Sequence, residues 1–227
     1  MERESLQPLP TSEVNHLTAA TMTYMDHLGE VLPWLSARGI NEVAANTFHL
    51  GYVAEPIPGH EMYQGMLAIP YRGTLPEGQA FHPTLSLRFR CVRPHDGACK
   101  DHGHPKYMTM KGDAARMFNV PALSEAGDEI HVAEGELDAI VLNQLGFPAV
   151  AMPGATQWSR RHAINLRGFD RVFIWGDPDE AGREMVAAIR RSVKHAIPVY
   201  LSHGDVTESY LKDAMSPIEA YARAAED

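Results

Sequence analysis

At 227 residues, 44% of them apolar and 22% charged, the chain is long enough for one large domain or two small ones with a sizeable core. A formal charge of −9 argues against a nucleic-acid binder on global charge alone, and two cysteines, Cys91 and Cys99, exclude a disulfide framework. The polar start MERESLQPLPTSEV is unlike a signal peptide and no apolar run approaches the ~20 residues that span a membrane, so a soluble cytoplasmic protein is expected.

Residues 1–11 read as a loose tail with Pro8 and Pro10. Thr11 or Ser12 is suited to cap a helix running to about Leu28. A second helical piece covers Val31 to Arg38 and stops at Gly39; Asn41 caps a third, Glu42 to Leu50, closed by Gly51. Periodicity gives these helices a packing role and no chemistry.

From Met62 the period changes. MLAIPYR (66–72) and TLSLRFRCV (84–92) read as strands separated by a loop rich in Gly and Pro. In the second, Arg88 and Arg90 alternate with Leu87, Phe89 and Cys91, which puts both arginines on one face. Between Arg72 and Arg116 there are eight basic residues, Lys106 and Lys111 among them, against four acidic ones. A basic middle in an acidic chain suits a polyphosphate or nucleic-acid substrate, and equally a solvated sheet face. The polar loop PHDGACKDHGHPKY carries His95, Cys99, His102 and His104. With Cys91 the spacing C-x7-C-x2-H-x-H lacks the close cysteine pair of common zinc sites, and a core role for Cys91 is expected.

From Glu129 strands and helices alternate: strand 129–134, helix 136–145 closed by Gly146, strand 148–152, a short helix near 159–165, strand 171–176, helix 179–195, strand 198–203, a helix near 207–215 and a short terminal helix from Pro217. That order predicts a mostly parallel sheet covered by helices. Three apolar runs end in carboxylates: Glu134, with Asp138 one helical turn on; Asp177 and Asp179; and Asp205. One such acid is most simply a helix N-cap. Three in one half of the chain point to a cluster, because ligands bind at the carboxyl ends of strands in open α/β sheets. On an extended segment Asp177 and Asp179 stand roughly 6.6 Å apart and repel by roughly 2.5 kcal/mol at an effective dielectric of about 20. Neutralisation by a cation relieves this, and all-oxygen ligation suits Mg²⁺ or Mn²⁺.

EGELDA, then WGDPDEAG, then an acid in GDVTE resembles the Toprim domain of topoisomerases, primases and some nucleases. Upstream, SARGINEVAANTFHLGYV, GMLAIPYRG, SLRFR, HPKYMTM and RMFNVPAL resemble the helical and basic parts of DnaG-type (bacterial and phage) DNA primase catalytic cores, with Pro105, Lys106 and Tyr107 as the recurring Pro-Lys-Tyr. The likeness covers about residues 20–215, and the phage and plasmid branch looks most similar. The family commonly has Lys before its third acid, where this chain has Gly204.

The resemblance implies an α/β chain with an α+β N-terminal part: a helical and basic β-rich primase subdomain over 1–128, then a Toprim domain over 129–227 with a parallel sheet flanked by helices. It implies a DNA-directed RNA polymerase that makes short RNA primers on single-stranded DNA from ribonucleoside triphosphates. Glu134, Asp177 and Asp179 would be catalytic, and with Asp138 and Asp205 would hold Mg²⁺ or Mn²⁺; Glu134 is also a candidate general base. Arg72, Arg88, Arg90, Lys106 and Lys111 would bind template or nucleotide. The family's zinc-binding and helicase modules have no counterpart in the sequence, so a separate zinc-binding template-recognition protein and a replicative helicase are the expected partners, and no membrane is. A Toprim nuclease and a non-catalytic replisome or nucleic-acid-binding protein are the alternatives.

Overall fold

The computed structural model describes residues 8–152 and 157–226. The chain forms two compact units: residues 8–37 with 41–114, and residues 38–40 with 115–226.

The first unit opens with α1 (Thr11–Met25), which starts directly after Pro10, so neither Thr11 nor Ser12 caps it. The chain breaks at residues 26–27 and resumes as α2 (Leu28–Ser36). In α3 (Glu42–Thr47) the Asn41 side chain accepts a hydrogen bond from the Ala44 N–H at 2.8 Å, the expected cap. The helix is closed by His49, whose φ is 56°, and not by Gly51. Gly51 sits instead in β1 (Gly51–Tyr52), where a Cβ would lie 2.4 Å from the Tyr24 backbone carbon. β2 (Met66–Arg72), β3 (Thr84–Cys91) and β4 (Tyr107–Thr109) complete an antiparallel sheet in the order β1-β2-β3-β4. Pro70 is tolerated inside β2 because β1 pairs only with Leu67 and Ala68, leaving no ladder bond for Pro70 to lose on that side. Leu17, Tyr24, Tyr63, Leu87 and Phe89 fill the core, with the Tyr63 and Phe89 rings stacked at 3.8 Å.

The second unit runs α4 (Ala122–Glu125), β5 (Glu129–Ala133), α5 (Glu136–Gln144), β6 (Ala149–Ala151), α6 (Arg160–Leu166), β7 (Arg171–Trp175), α7 (Glu180–Ser192), β8 (Ala196–Val199), α8 (Val206–Lys212) and α9 (Ser216–Glu226). Its four strands are all parallel, in the order β6-β5-β7-β8. From β5 the chain crosses to β6 on one side, then returns over β5 to β7 on the other. The order therefore reverses between β5 and β7, and it is beyond the carboxyl ends of such a pair that open α/β sheets bind ligands. Ile130, Val132, Val172 and Ile174 pack with Met185 and Ile189 of α7. Their alternates, His131, Phe173 and Trp175, join Phe147 and Tyr221 in an aromatic cluster. Among the described residues no helix is long and apolar enough to cross a membrane.

His131 is fully buried in this cluster and accepts a hydrogen bond from Trp175 Nε1 at 3.0 Å. Burial first, then the Arg171 charge, hold its pKa down at about 3. The unfolded chain therefore binds a proton that the fold refuses between about pH 6.5 and pH 3. The stability tied to neutral His131 is fully present above about 6.5 and is lost as pH falls toward 3, by about 5 kcal/mol at most. His131→Phe should lose roughly 1–3 kcal/mol at pH 7, where the Trp175 N–H loses its acceptor, and should unfold at lower pH than wild type. Urea unfolding from pH 7 to pH 4 checks this; an unaltered pH dependence would refute it.

Candidate active site

The acids gather beyond the carboxyl ends of β5 and β7. Glu134 follows the last residue of β5, and Asp177 follows β7 after Gly176. Asp179 caps α7 through a bond from the Gly182 N–H at 2.9 Å, and Asp205 caps α8 through one from the Glu208 N–H at 2.7 Å. The capping role and membership of the cluster thus coexist. Asp205 does not end a strand as expected, since β8 stops at Val199; it arrives as the cap of α8. Asp138 is buried on α5, where its Oδ1 accepts from the Thr207 N–H at 3.0 Å and the Thr207 hydroxyl at 2.8 Å. That pair ties α5 to α8.

The acids act on one another through charge. Burial, then Asp138, Glu134, Asp205 and Asp179, push the Asp177 carboxyl up to about 7. Burial and Asp179 raise Glu134, partly opposed by a hydrogen bond from the Asp177 backbone. Glu134 Oε2 is buried without a hydrogen-bond partner. A buried, unpartnered carboxylate oxygen next to Asp177 and under the charge of Asp179 fits a divalent cation: the donors are hard oxygens, and positive charge would relieve both the repulsion and the orphaned atom. Glu134, Asp177 and Asp179, with Asp138 and Asp205 around them, are the residues that would hold it.

Glycines let the acids come together. A Cβ on Gly182 would lie 2.2 Å from the Asp177 carbonyl oxygen, so only glycine lets the first turn of α7 sit against that backbone. Gly204 has a φ of 47°, and a side chain there would meet Glu208.

Sequence reasoning missed a row of cations. Arg183, Arg190, Arg191 and Lys194 line a cavity of about 630 Å³ that Asp177 also lines. Arg183 also donates from Nη1 to the Pro178 carbonyl at 2.9 Å, bracing the turn between the two aspartates. Their i, i+7, i+8, i+11 spacing was the available signal.

The basic residues of the other unit divide. Arg88 and Arg90 share a face of β3 and flank Tyr107: the Arg88 guanidinium lies 4.7 Å and that of Arg90 4.9 Å from its ring centre. Arg90 also donates to the Tyr107 hydroxyl and lies 5.3 Å from the Trp34 ring centre. Lys106 is exposed with its ammonium 5.9 Å from the Tyr107 ring centre, and Lys111 is exposed. Arg72, grouped with them on sequence, is buried; its Nη1 donates to the Thr47 carbonyl at 2.7 Å and it packs on Phe48, so it holds the end of α3. Were Lys106 and Lys111 to meet the phosphates of a single strand, Lys106→Ala and Lys111→Ala would each flatten the slope of log affinity against log salt by about 0.7. Arg72→Ala should destabilise the fold and leave the slope alone. Equal slopes in all three variants would remove the lysines from any binding face.

Residues 131–208 match the Toprim-like family. The Gene 57 protein of Mycobacterium phage D29 is 33% identical over 158 residues, 68% of this chain and 97% of that protein. The chain belongs to the family of that phage protein. Its fold is that of DnaG-type primase catalytic cores. Against the primase of Aquifex aeolicus, solved with zinc-binding and RNA polymerase domains, the TM-score is 0.70 at 17% identity, covering 96% of this chain and 62% of that one. The chain thus spans less than two thirds of the Aquifex protein. Against a DnaG primase catalytic domain bound to single-stranded DNA the TM-score is 0.69 at 16% identity, covering 92% and 77%. The resemblance read in EGELDA, WGDPDEAG and HPKYMTM therefore holds as a Toprim-like domain within a primase-core fold.

Proposed function

We propose that this phage-type chain is a primase catalytic core, a nucleotidyltransferase that joins ribonucleotides into short RNA primers on single-stranded DNA. The observation that carries this reading is the five-acid cluster at the switch point of the parallel sheet, with Asp177 pushed up to about 7 and Glu134 Oε2 left without a partner. Mg²⁺ or Mn²⁺, when bound, would supply Lewis-acid charge that polarises a triphosphate and eases ionisation of an attacking hydroxyl. The cations of α7 would attract triphosphate oxygens toward Asp177. Glu134, half-buried and with a raised pKa, is suited to take up a proton there. On the other unit, Arg88, Arg90 and Tyr107 offer guanidinium charge and an aromatic face, which suit phosphates and stacked bases of a single strand. A zinc-binding template-recognition protein and a replicative helicase are the partners such a core would work with, in bacterial or phage-infected cytoplasm.

The test is incubation with labelled ribonucleotides, single-stranded DNA and Mg²⁺ or Mn²⁺. Extension of a pre-made primer should exceed de novo synthesis, because it avoids the entropic cost of assembling two free nucleotides. A zinc-binding partner added in trans should raise de novo synthesis. Shortening of a labelled strand, with no nucleotide added and the cutting lost in Glu134→Gln, would instead establish a Toprim nuclease.

A further inference from the structure

The connection from β3 to β4 holds a feature that the proposed chemistry does not use. Cys91 ends β3 and is buried, with its N–H donating to the Lys106 carbonyl at 2.9 Å across the base of the loop. Cys99 begins the short 3-10 turn Cys99–His102, and Gly103, with a φ of 74°, returns the chain to His104. His104 N–H donates to the Cys99 carbonyl at 3.2 Å. These turns bring one ligand atom each from Cys91, His95, Cys99 and His104 to within 4.8 Å of one another. His95 Nε2 lies 3.3 Å from the Cys99 sulfur and 3.9 Å from the Cys91 sulfur. Tetrahedral zinc with bonds of about 2.3 Å to sulfur and about 2.0–2.1 Å to nitrogen requires S···N separations of roughly 3.5 Å. The observed pair straddles that value.

Packing explains part of this arrangement and leaves the rest. Both cysteines border the core of their unit, as small apolar residues do. Core packing gives no reason for two imidazoles to converge on the two sulfurs in a loop rich in polar residues. His102 is set apart from the group: its ring centre is 4.6 Å from that of His95, but its Nε2 lies 2.6 Å from the Asp96 carbonyl oxygen and is engaged with the loop backbone. The ligand pattern is therefore C-x3-H-x3-C-x4-H, which a count of Cys–Cys spacing overlooks because the four groups come from a strand end, a loop, a 3-10 turn and the residue after a left-handed glycine.

We propose that Cys91, His95, Cys99 and His104 form a structural Cys₂His₂ zinc site. It would staple the loop between β3 and β4, a stretch with one short 3-10 turn as its only regular structure among the described residues. The same strands carry Arg88, Arg90 and Tyr107, with Arg90 opposite Tyr107 in the β3–β4 register, so the ion would fix the edge that presents them. The set differs from the acid cluster in every ligand, and soft thiolates with imidazoles select zinc where hard carboxylates select Mg²⁺ or Mn²⁺. Binding exchanges the two thiol protons for the metal, so zinc uptake should release protons.

The full chain, expressed with zinc supplied and passed through a mild chelator, should retain one zinc per chain by elemental analysis. Cys99→Ser and His104→Ala should each lower that content at least fivefold, while His102→Ala and Asp177→Asn should keep it. Should the variants fail to fold, replacement of zinc by Co²⁺ in the wild-type chain gives an independent reading: a thiolate-to-cobalt charge-transfer band with the intense visible bands of a tetrahedral ion. No retained zinc and no such band, a Cys91–Cys99 disulfide by mass spectrometry, or zinc lost in His102→Ala and kept in His104→Ala, would overturn the proposal.

Discussion

Asp177→Asn is expected to abolish nucleotide incorporation and, in the same protein, to raise the stability of the metal-free fold. The first effect follows from the proposed activity, in which Asp177 would be one of the carboxylates that hold the cation, and a fall of roughly 10³ or more is expected. The second follows from charge. The folded pKa of Asp177 is raised from 3.8 to about 7 by burial and by Asp138, Glu134, Asp205 and Asp179. For a raised carboxyl the sign is opposite to that of an ordinary salt-bridged aspartate. The fold holds the proton more tightly than the unfolded chain, so the associated stability is present below about pH 4 and is lost as pH rises through about 7. Removing the charge should therefore gain roughly 2 kcal/mol at pH 8 in chelator, and little at pH 4. Mg²⁺ should raise the melting temperature of wild type and do much less for the variant. A variant that melts with wild type at pH 8 without metal, and gains equally from Mg²⁺, would remove Asp177 from the site.

Elements whose own pattern decides them were readable from sequence: β3 lies where alternation put it, β2 where an apolar run did, and β5, β7 and their following helices where apolar runs met Gly135 and Asp179. Errors arose where one residue type does another's work. His49 takes the left-handed conformation that was assigned to Gly51. Pro198 was read as the start of a strand, yet it lies inside β8, an edge strand whose outer side has no ladder to lose. The three residues of β4 follow a proline in a polar loop and exist because β3 offers them a partner. In the site, the acids that end β5 and β7 were visible as punctuation after apolar runs. The burial of Arg72, the Thr207 clamp on Asp138 and the convergence of two cysteines with two histidines are tertiary, and no local period encodes them.

Gly182→Ala should invert the usual helix rule. Within a helix, alanine is ordinarily more stable than glycine by roughly 0.5–1 kcal/mol, because glycine loses more backbone freedom on folding. Gly29, in α2 with no atom within 4 Å of where a Cβ would stand, is the matched control, and Gly29→Ala should follow that rule. At Gly182 the added carbon would lie 2.2 Å from the carbonyl oxygen, 2.5 Å from the nitrogen and 2.8 Å from the carbonyl carbon of Asp177. All three are backbone atoms, so no side chain can swing aside. Either the first turn of α7 unwinds or the segment from Gly176 to Asp179 is pushed away from the end of β7. The expected cost is about 3 kcal/mol, the upper end of what overpacking against atoms that cannot move aside produces. Any variant that still folds should have lost activity with it, because the displaced segment carries Asp177 and frees the Gly182 N–H from the Asp179 cap. Denaturant unfolding of both variants beside wild type measures the two signs together. A Gly182→Ala protein that is as stable as Gly29→Ala and still binds Mg²⁺ would show that α7 and Asp177 do not approach this closely, and the carboxyl ends of β5 and β7 would lose their basis as the cation site.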